Sequence, residues 1–181
     1  MGSGHDIDTP SPWIERWAPL VKPGAAVLDL ACGHGRHARY FAARGCSVVA
    51  VDRDQSALAT LAEIQRVQVK RADLEGEAWP FAPACFDAIV VTNYLHRPLF
   101  ASLAAALRPE GVLLYETFMC GNERFGKPAN PAFLLRPNEL FEAFAGRLRV
   151  AAFEQGEVLR PKPALIQRLC AIQRVERDIT I

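Results

Sequence analysis

Five polar residues close apolar runs in this 181-residue chain: Asp29, Asp52, Asp73, Asn93 and Glu116. Between the first two lies Gly33-x-Gly35-x-x-Ala38, a glycine turn of the kind over which nucleotide-like ligands sit. Where such a turn receives a pyrophosphate, a carboxylate beside it repels the ligand. Asp29 stands four residues before Gly33, so this turn suits a ligand with a positive centre and no phosphate. Gly33 and Gly35 let the backbone approach that ligand where a Cβ would collide. Asp52, about twenty residues on, is placed to accept two ribose hydroxyls, and Asp73 to accept an adenine amino group with the Leu74 N–H on a ring nitrogen.

These residues need strands to carry them. Residues 27–30, 46–51, 67–71, 86–92 and 112–115 are short, largely unbroken apolar runs, the pattern of strands buried on both faces of a parallel sheet. Helical spacing separates them: residues 38–45 after the glycine turn, 54–65 behind an Asp54 cap, and a stretch opened by Pro98 with Leu99, Leu103 and Leu107 on one stripe. Ser11 and Pro12 announce an earlier helix over 12–20 whose Trp13, Ile14 and Trp17 either pack on the sheet edge or cover a ligand pocket. Residues 75–84 and 118–136 read as loops, with a compact turn at 108–111 and a helix from Pro137 to Gly146. Two final strands, 148–153 and 164–172 about a turn at Gln155-Gly156, have no helix between them and predict an antiparallel hairpin. The alternation specifies an α/β fold, a doubly wound, mostly parallel sheet with helices on both faces, whose polar strand ends gather along one edge.

The composition narrows the partners. Lys plus Arg is 21 against 20 for Asp plus Glu, so the net charge of +1 supplies no general field for a nucleic acid, and none is expected. Five scattered cysteines without a C-x-x-C pair are the usage of a reducing compartment. No apolar run is long enough to span a bilayer, and the expectation is a cytoplasmic protein away from membranes. A flexible stretch over 1–10 is expected to precede a single domain over 11–181, with 11–20 and 118–136 as lid segments.

S-adenosylmethionine, with its sulfonium, ammonium and adenosine, fits the acids in front of and behind the turn. Beyond that fit, the chain resembles the class I, seven-strand S-adenosylmethionine-dependent methyltransferases. Val27-Leu28-Asp29-Leu30-Ala31-Cys32-Gly33-His34-Gly35 looks like their first motif, Val51-Asp52 the second and Asp73-Leu74 the third. Asn93 and Leu107-Arg108-Pro109-Glu110-Gly111-Val112-Leu113 resemble later ones. The resemblance implies strand order 3-2-1-4-5-7-6 with the seventh antiparallel, and a cofactor held by Asp29, Ala31, Cys32, Gly33, Gly35, Asp52, Arg53, Asp73, Leu74 and Asn93. In size the chain is similar to small-molecule methyltransferases of the tellurite- and thiopurine-resistance type. Two departures stand out. Arg53 replaces the apolar residue usual after the ribose acid, and Asn93-Tyr94-Leu95-His96 lacks the Pro-Pro-aromatic sequence of methyltransferases acting on amino groups in DNA, glutamine or RNA.

A small-molecule acceptor is therefore expected, with S-adenosylhomocysteine as the product. Methyl transfer is an in-line displacement that needs the nucleophile held in place, and a general base only if the acceptor is protonated. His96 is the candidate base, Tyr94 a wall of the methyl pocket, and Arg97 a partner for a substrate anion. Tyr115 and Glu116 follow as second-tier contacts, and Arg124, Phe125 and Lys127 as lid residues. His34 and His37 read as exposed first-turn residues, and Arg36 and Arg39 as surface charges; Cys32-x-His34-x-x-His37 is too cramped a turn for a zinc site. Competing readings are a non-catalytic cofactor-binding or scaffold protein of this fold and, against Asp29, a nicotinamide-dependent oxidoreductase.

Overall fold

The computed structural model describes residues 9–175. Seven strands form one sheet: β1 (Ala26–Leu30), β2 (Ser47–Asp52), β3 (Val67–Arg71), β4 (Phe86–Thr92), β5 (Leu107–Phe118), β6 (Arg149–Val158) and β7 (Ala164–Ile172). Their order is β3-β2-β1-β4-β5-β7-β6, as the resemblance implies. The first five run parallel, and β7 lies antiparallel between β5 and β6. Five helices accompany them: α1 (Pro12–Trp17), α2 (Arg36–Ala43), α3 (Gln55–Ala59), α4 (Phe100–Ala106) and α5 (Glu139–Ala145). The expected flexible stretch falls mostly outside the described residues. Among those described, no helix is long and apolar enough to cross a membrane.

Strand alternation divides the core into two layers. Leu28, Leu30, Ile89, Val91, Leu113 and Tyr115 face α4 and α5. Val27, Val48, Ala50, Val90 and Leu114 face α1 and α2, with Trp13, Ile14 and Phe41 among them. Trp13, 2% exposed, donates its indole N–H to the Leu169 carbonyl at 3.3 Å, so α1 belongs to the sheet's packing. Its cap is the one the sequence indicates, with the Ser11 hydroxyl accepting from the Trp13 N–H at 3.2 Å.

Several boundaries differ from the sequence expectation. The helix expected over 54–65 ends at Ala59. Beyond it, the N–H groups of Thr60, Leu61, Ala62 and Ile64 turn to carbonyls three residues back, and the tighter winding tucks Leu61 under the glycine turn. The strand expected over 112–115 extends to Leu107–Phe118, yet its pairing with β4 jumps from Phe86↔Leu107 to Ala88↔Val112. The turn at 108–111 therefore survives as an excursion from the ladder, with Glu110 at φ +64°. In the final hairpin, Gly156 pairs with Ile166 and β6 continues to Val158, so the reversal lies at 159–163 and not at Gln155-Gly156. Extension of the hairpin carries its tip back to the edge where the parallel strands end.

Candidate active site

Two adjoining cavities open at that edge. The larger, about 950 Å³, runs from the glycine turn past Glu116 to the β6–β7 tip and is walled on one side by residues 9–12 and Glu15. The smaller, about 390 Å³, lies over the ends of β2 and β3 and holds Asp52, Arg53, Asp73 and Leu74. Ala31, Asn93, Tyr94 and Phe118 line both and form the sill between them. Ala31 and Asn93 each leave their strand at positive φ, +51° and +55°, a conformation that costs a side-chain-bearing residue roughly 1–2 kcal/mol. The strain aims both strand exits into the sill.

The glycine turn is held from beneath and from the side. Gly35, at φ +73°, precedes α2 and has no side chain with which to cap it. Asp29 supplies the missing cap: alternation turns it to the α2 face, where its Oδ2 accepts from the Ala38 N–H at 2.8 Å. Only 1% of Asp29 is exposed, and it lines neither cavity. The structure thus places it below the turn and not in front of it. Burial pushes its carboxyl up to about 7, against the opposing pull of the Ala38 N–H and Arg36. From the side, Asp52 Oδ2 accepts the Gly33 N–H at 2.8 Å and Oδ1 accepts the Asp54 N–H at 2.9 Å. Each oxygen keeps lone-pair capacity for a ligand hydroxyl. Asp73 spends Oδ1 on the Glu75 and Gly76 N–H groups.

Ala31, Cys32, Gly33, Gly35, Asp52, Arg53, Asp73, Leu74, Asn93 and Tyr94 are thus gathered around the two cavities. His96 and Arg97 are not. His96 follows the sill, precedes a short 3-10 turn at Arg97–Leu99 and lines neither cavity. Arg97 is consumed elsewhere. Its guanidinium binds both oxygens of Glu139, at 2.6 and 3.0 Å, and the Ala132 and Leu134 carbonyls. Burial pushes the Glu139 carboxyl up, but Arg97 and the Arg136 N–H outweigh it and hold it below the ordinary range. Arg97 is a clamp on the 131–136 segment, with four of its five N–H donors spent there and on Glu139. That segment, not the expected Arg124, Phe125 and Lys127, reaches the smaller cavity, through Phe133 and nearby Pro128. Arg124 instead pairs with Glu157 at the surface.

A buried polar hub completes the larger cavity. His37, expected to be exposed, is 2% exposed. Burial, and then Arg36, lower its pKa to about 3, leaving a neutral ring. Its Nε2 accepts the Ser11 N–H at 3.1 Å, so the other nitrogen carries the proton and faces Thr92 Oγ1 at 3.4 Å. The ring is thereby unavailable to a metal with Cys32 and His34. Ser11 also donates its hydroxyl to Glu116 Oε1 at 2.9 Å, while Arg168 Nε binds Oε2 at 2.6 Å. Tyr115 is buried, its hydroxyl donating to the Tyr94 carbonyl at 3.0 Å, so it supports the sill from behind. Sequence reasoning missed Ser11, His37 and Arg168 as site residues; the polar pair Gln167-Arg168 inside the apolar strand Ala164–Ile172 was the available signal. Burial raises the Cys32 thiol and the Tyr94 phenol far above their ordinary values, so both keep their protons.

This topology and edge are those of the class I methyltransferase fold. Residues 27–111 match the family described as methyltransferase domain. An uncharacterized methyltransferase of Synechocystis sp. is 32% identical over 99 residues, which cover 51% of this chain and 46% of that protein. The chain thus spans about half the length of the curated relative it matches. Among solved structures, TehB from Haemophilus influenzae superposes with a TM-score of 0.75 at 19% identity, covering 91% of this chain and 63% of that one. A SAM-dependent methyltransferase from Methanosarcina mazei gives 0.71 at 16% identity, covering 93% and 100%. At these identities the structural likeness speaks for the fold.

Proposed function

We propose that the chain is an S-adenosylmethionine-dependent methyltransferase acting on a small-molecule acceptor by in-line transfer. The reading is carried by one observation: an acid-lined cavity for an adenosine and a second cavity for an acceptor meet at the sill of Ala31, Asn93 and Tyr94. When bound, the cofactor supplies an electrophilic methyl on a sulfonium. The residues fit such a ligand. A Cβ added at Gly33 meets no protein atom within 4 Å, so the backbone there borders open space that a ligand can enter. Asp52 and Asp73 hold acceptor oxygens for ribose hydroxyls and an adenine amino group, with Leu74 against the base and Arg53 at the rim. Asp29 acts through the turn it caps, its field favouring a positive ligand above.

The protein's contribution to the transfer is positional. Tyr94 and Asn93 wall the passage between the cavities, and the Tyr94 phenol and Cys32 thiol, both protonated, stay out of the chemistry. With His37 neutral behind the wall and His96 outside it, the acceptor brings its own nucleophile, an ionised or lone-pair atom. Titration calorimetry tests this reading: S-adenosylhomocysteine should bind and NAD should not. The reverse preference, or no release of S-adenosylhomocysteine across a broad panel of acceptors, would sink it.

A further inference from the structure

The larger cavity also carries information about its acceptor. At about 950 Å³ it stands at the upper end of the range of roughly 300–1,000 Å³ for small-molecule pockets. The methionine arm of a cofactor would occupy only the end beside the glycine turn. What remains lies between the 9–15 segment and the β6–β7 tip, with Pro12, Phe118, Val158 and Ile166 as apolar walls. A compact inorganic oxyanion or a simple thiol would leave most of that space to water.

The charges on these walls are unequal. Glu116 is neutralised by Arg168, a pair whose side chains are 11% and 19% exposed. Opposite it, the hairpin tip brings Arg160 and Lys162 to the mouth, two residues apart around Pro161. Neither forms an ion pair among the described residues. Arg36, on the turn side, reaches among the described residues only the Thr9 carbonyl, at 3.5 Å. Against these three cations the cavity sets, among the described residues, one acid without an ion pair, Glu15. The excess is local, because the chain as a whole carries a net charge of only +1. A rim that is cationic above apolar walls selects a ligand with an acidic head and an apolar body.

We propose that the acceptor is an organic acid with an apolar, drug-sized body, its carboxylate or equivalent anionic group held at the cavity mouth by Arg160 and Lys162. This rests on the methyltransferase reading for what is done to the acid, but recognition of the acid can be measured separately. Arg160 and Lys162 are exposed, so removing them leaves the core untouched.

Binding of 4-hydroxycinnamate and indole-3-acetate, each against its primary amide, is to be measured by calorimetry with saturating S-adenosylhomocysteine. Both acids should bind about tenfold or more tightly than their amides, the size expected for charge-assisted contacts. In Arg160→Ala/Lys162→Ala the preference should vanish, while affinity for S-adenosylhomocysteine stays unchanged. Amides binding as well as acids, a preference that survives the double substitution, or no acid binding at millimolar concentration with S-adenosylhomocysteine bound would each overturn the proposal. So would selenite displacing the acids, since that places a compact oxyanion site at the mouth. Failure of S-adenosylhomocysteine to bind, with the acid preference intact, would overturn the methyltransferase reading and support the acid site.

Discussion

At the end of the sheet formed by β1 to β3, Ala31, Asp52, Arg53, Asp73 and Leu74, which line the smaller cavity, each sit within a few residues of their own strand's end. The bond that ties the turn to its neighbour, Gly33 to Asp52, spans 19 residues. At the other end, around β5, β6 and β7, the wall is assembled from afar: Ser11 reaches Glu116 across 105 residues, and Arg168 reaches it across 52. The first half is specified locally and rigidly, by capped turns and strained strand exits. The second depends on a charged pair and a helix cap brought together only by the finished fold. Conserving one chemistry while varying its substrate is easiest when the two tasks are built by such separate means.

That contrast can be broken in order of expected effect. Gly35→Ala should hurt most, because its φ of +73° penalises a Cβ and that Cβ would run into the Leu61 side chain. About 3 kcal/mol of stability should be lost in urea unfolding, and cofactor binding with it. Arg168→Met comes next: it strands Glu116 and should cost about 2–3 kcal/mol, less than for a fully buried pair, without altering S-adenosylhomocysteine affinity. If cofactor affinity fell in step, the two halves would not be independent. Asp52→Ala is its mirror image, expected to cost about 1.5–3 kcal/mol of cofactor affinity by calorimetry and little stability.

A conditional effect concerns pH. Asp29 has a folded pKa of about 7 against an ordinary 3.8, so the folded state holds its proton more tightly than the unfolded chain does. Its contribution is greatest below about pH 4 and is lost as pH rises toward 7. Asp29→Asn removes that loss and should be more stable than the parent at pH 8, with the advantage gone near pH 4, in thermal unfolding at the two values. His96→Ala should change least. Lying outside both cavities, it should leave turnover within about twofold of the parent; a collapse in kcat with cofactor binding intact would restore His96 as a base.

The local half was legible in the sequence because its contacts follow strand ends, and strand ends follow from apolar runs punctuated by Asp, Asn and Gly. The strand order came with the motif resemblance, which no single run could have supplied. Asp29 was assigned to the right neighbourhood but to the wrong side of the turn. A residue's place on a strand fixes its face only once the register is known, and the face proved to be that of α2. Arg97 and His96 misled for a related reason: proximity to the sill in sequence does not say which way a chain turns after it. Arg97 turns to a glutamate 42 residues on. Nothing local could flag His37, whose spacing on a first helical turn suits solvent as well as it suits the Ser11 amide.

Ser11 fastens residues 9–12 to the body of the fold twice, through its amide and through its hydroxyl. Its hydroxyl proton can go to Glu116 or to something else, but only to one acceptor at a time, while its own amide stays with His37. Glu116 Oε1 accepts this one hydroxyl and, like any carboxylate oxygen, has a second lone pair, so a ligand donor can join Ser11 on that oxygen and add a bond. Entry to the larger cavity in this way leaves residues 9–12 fastened to β5, and the wall that meets the ligand is the one that was there before it.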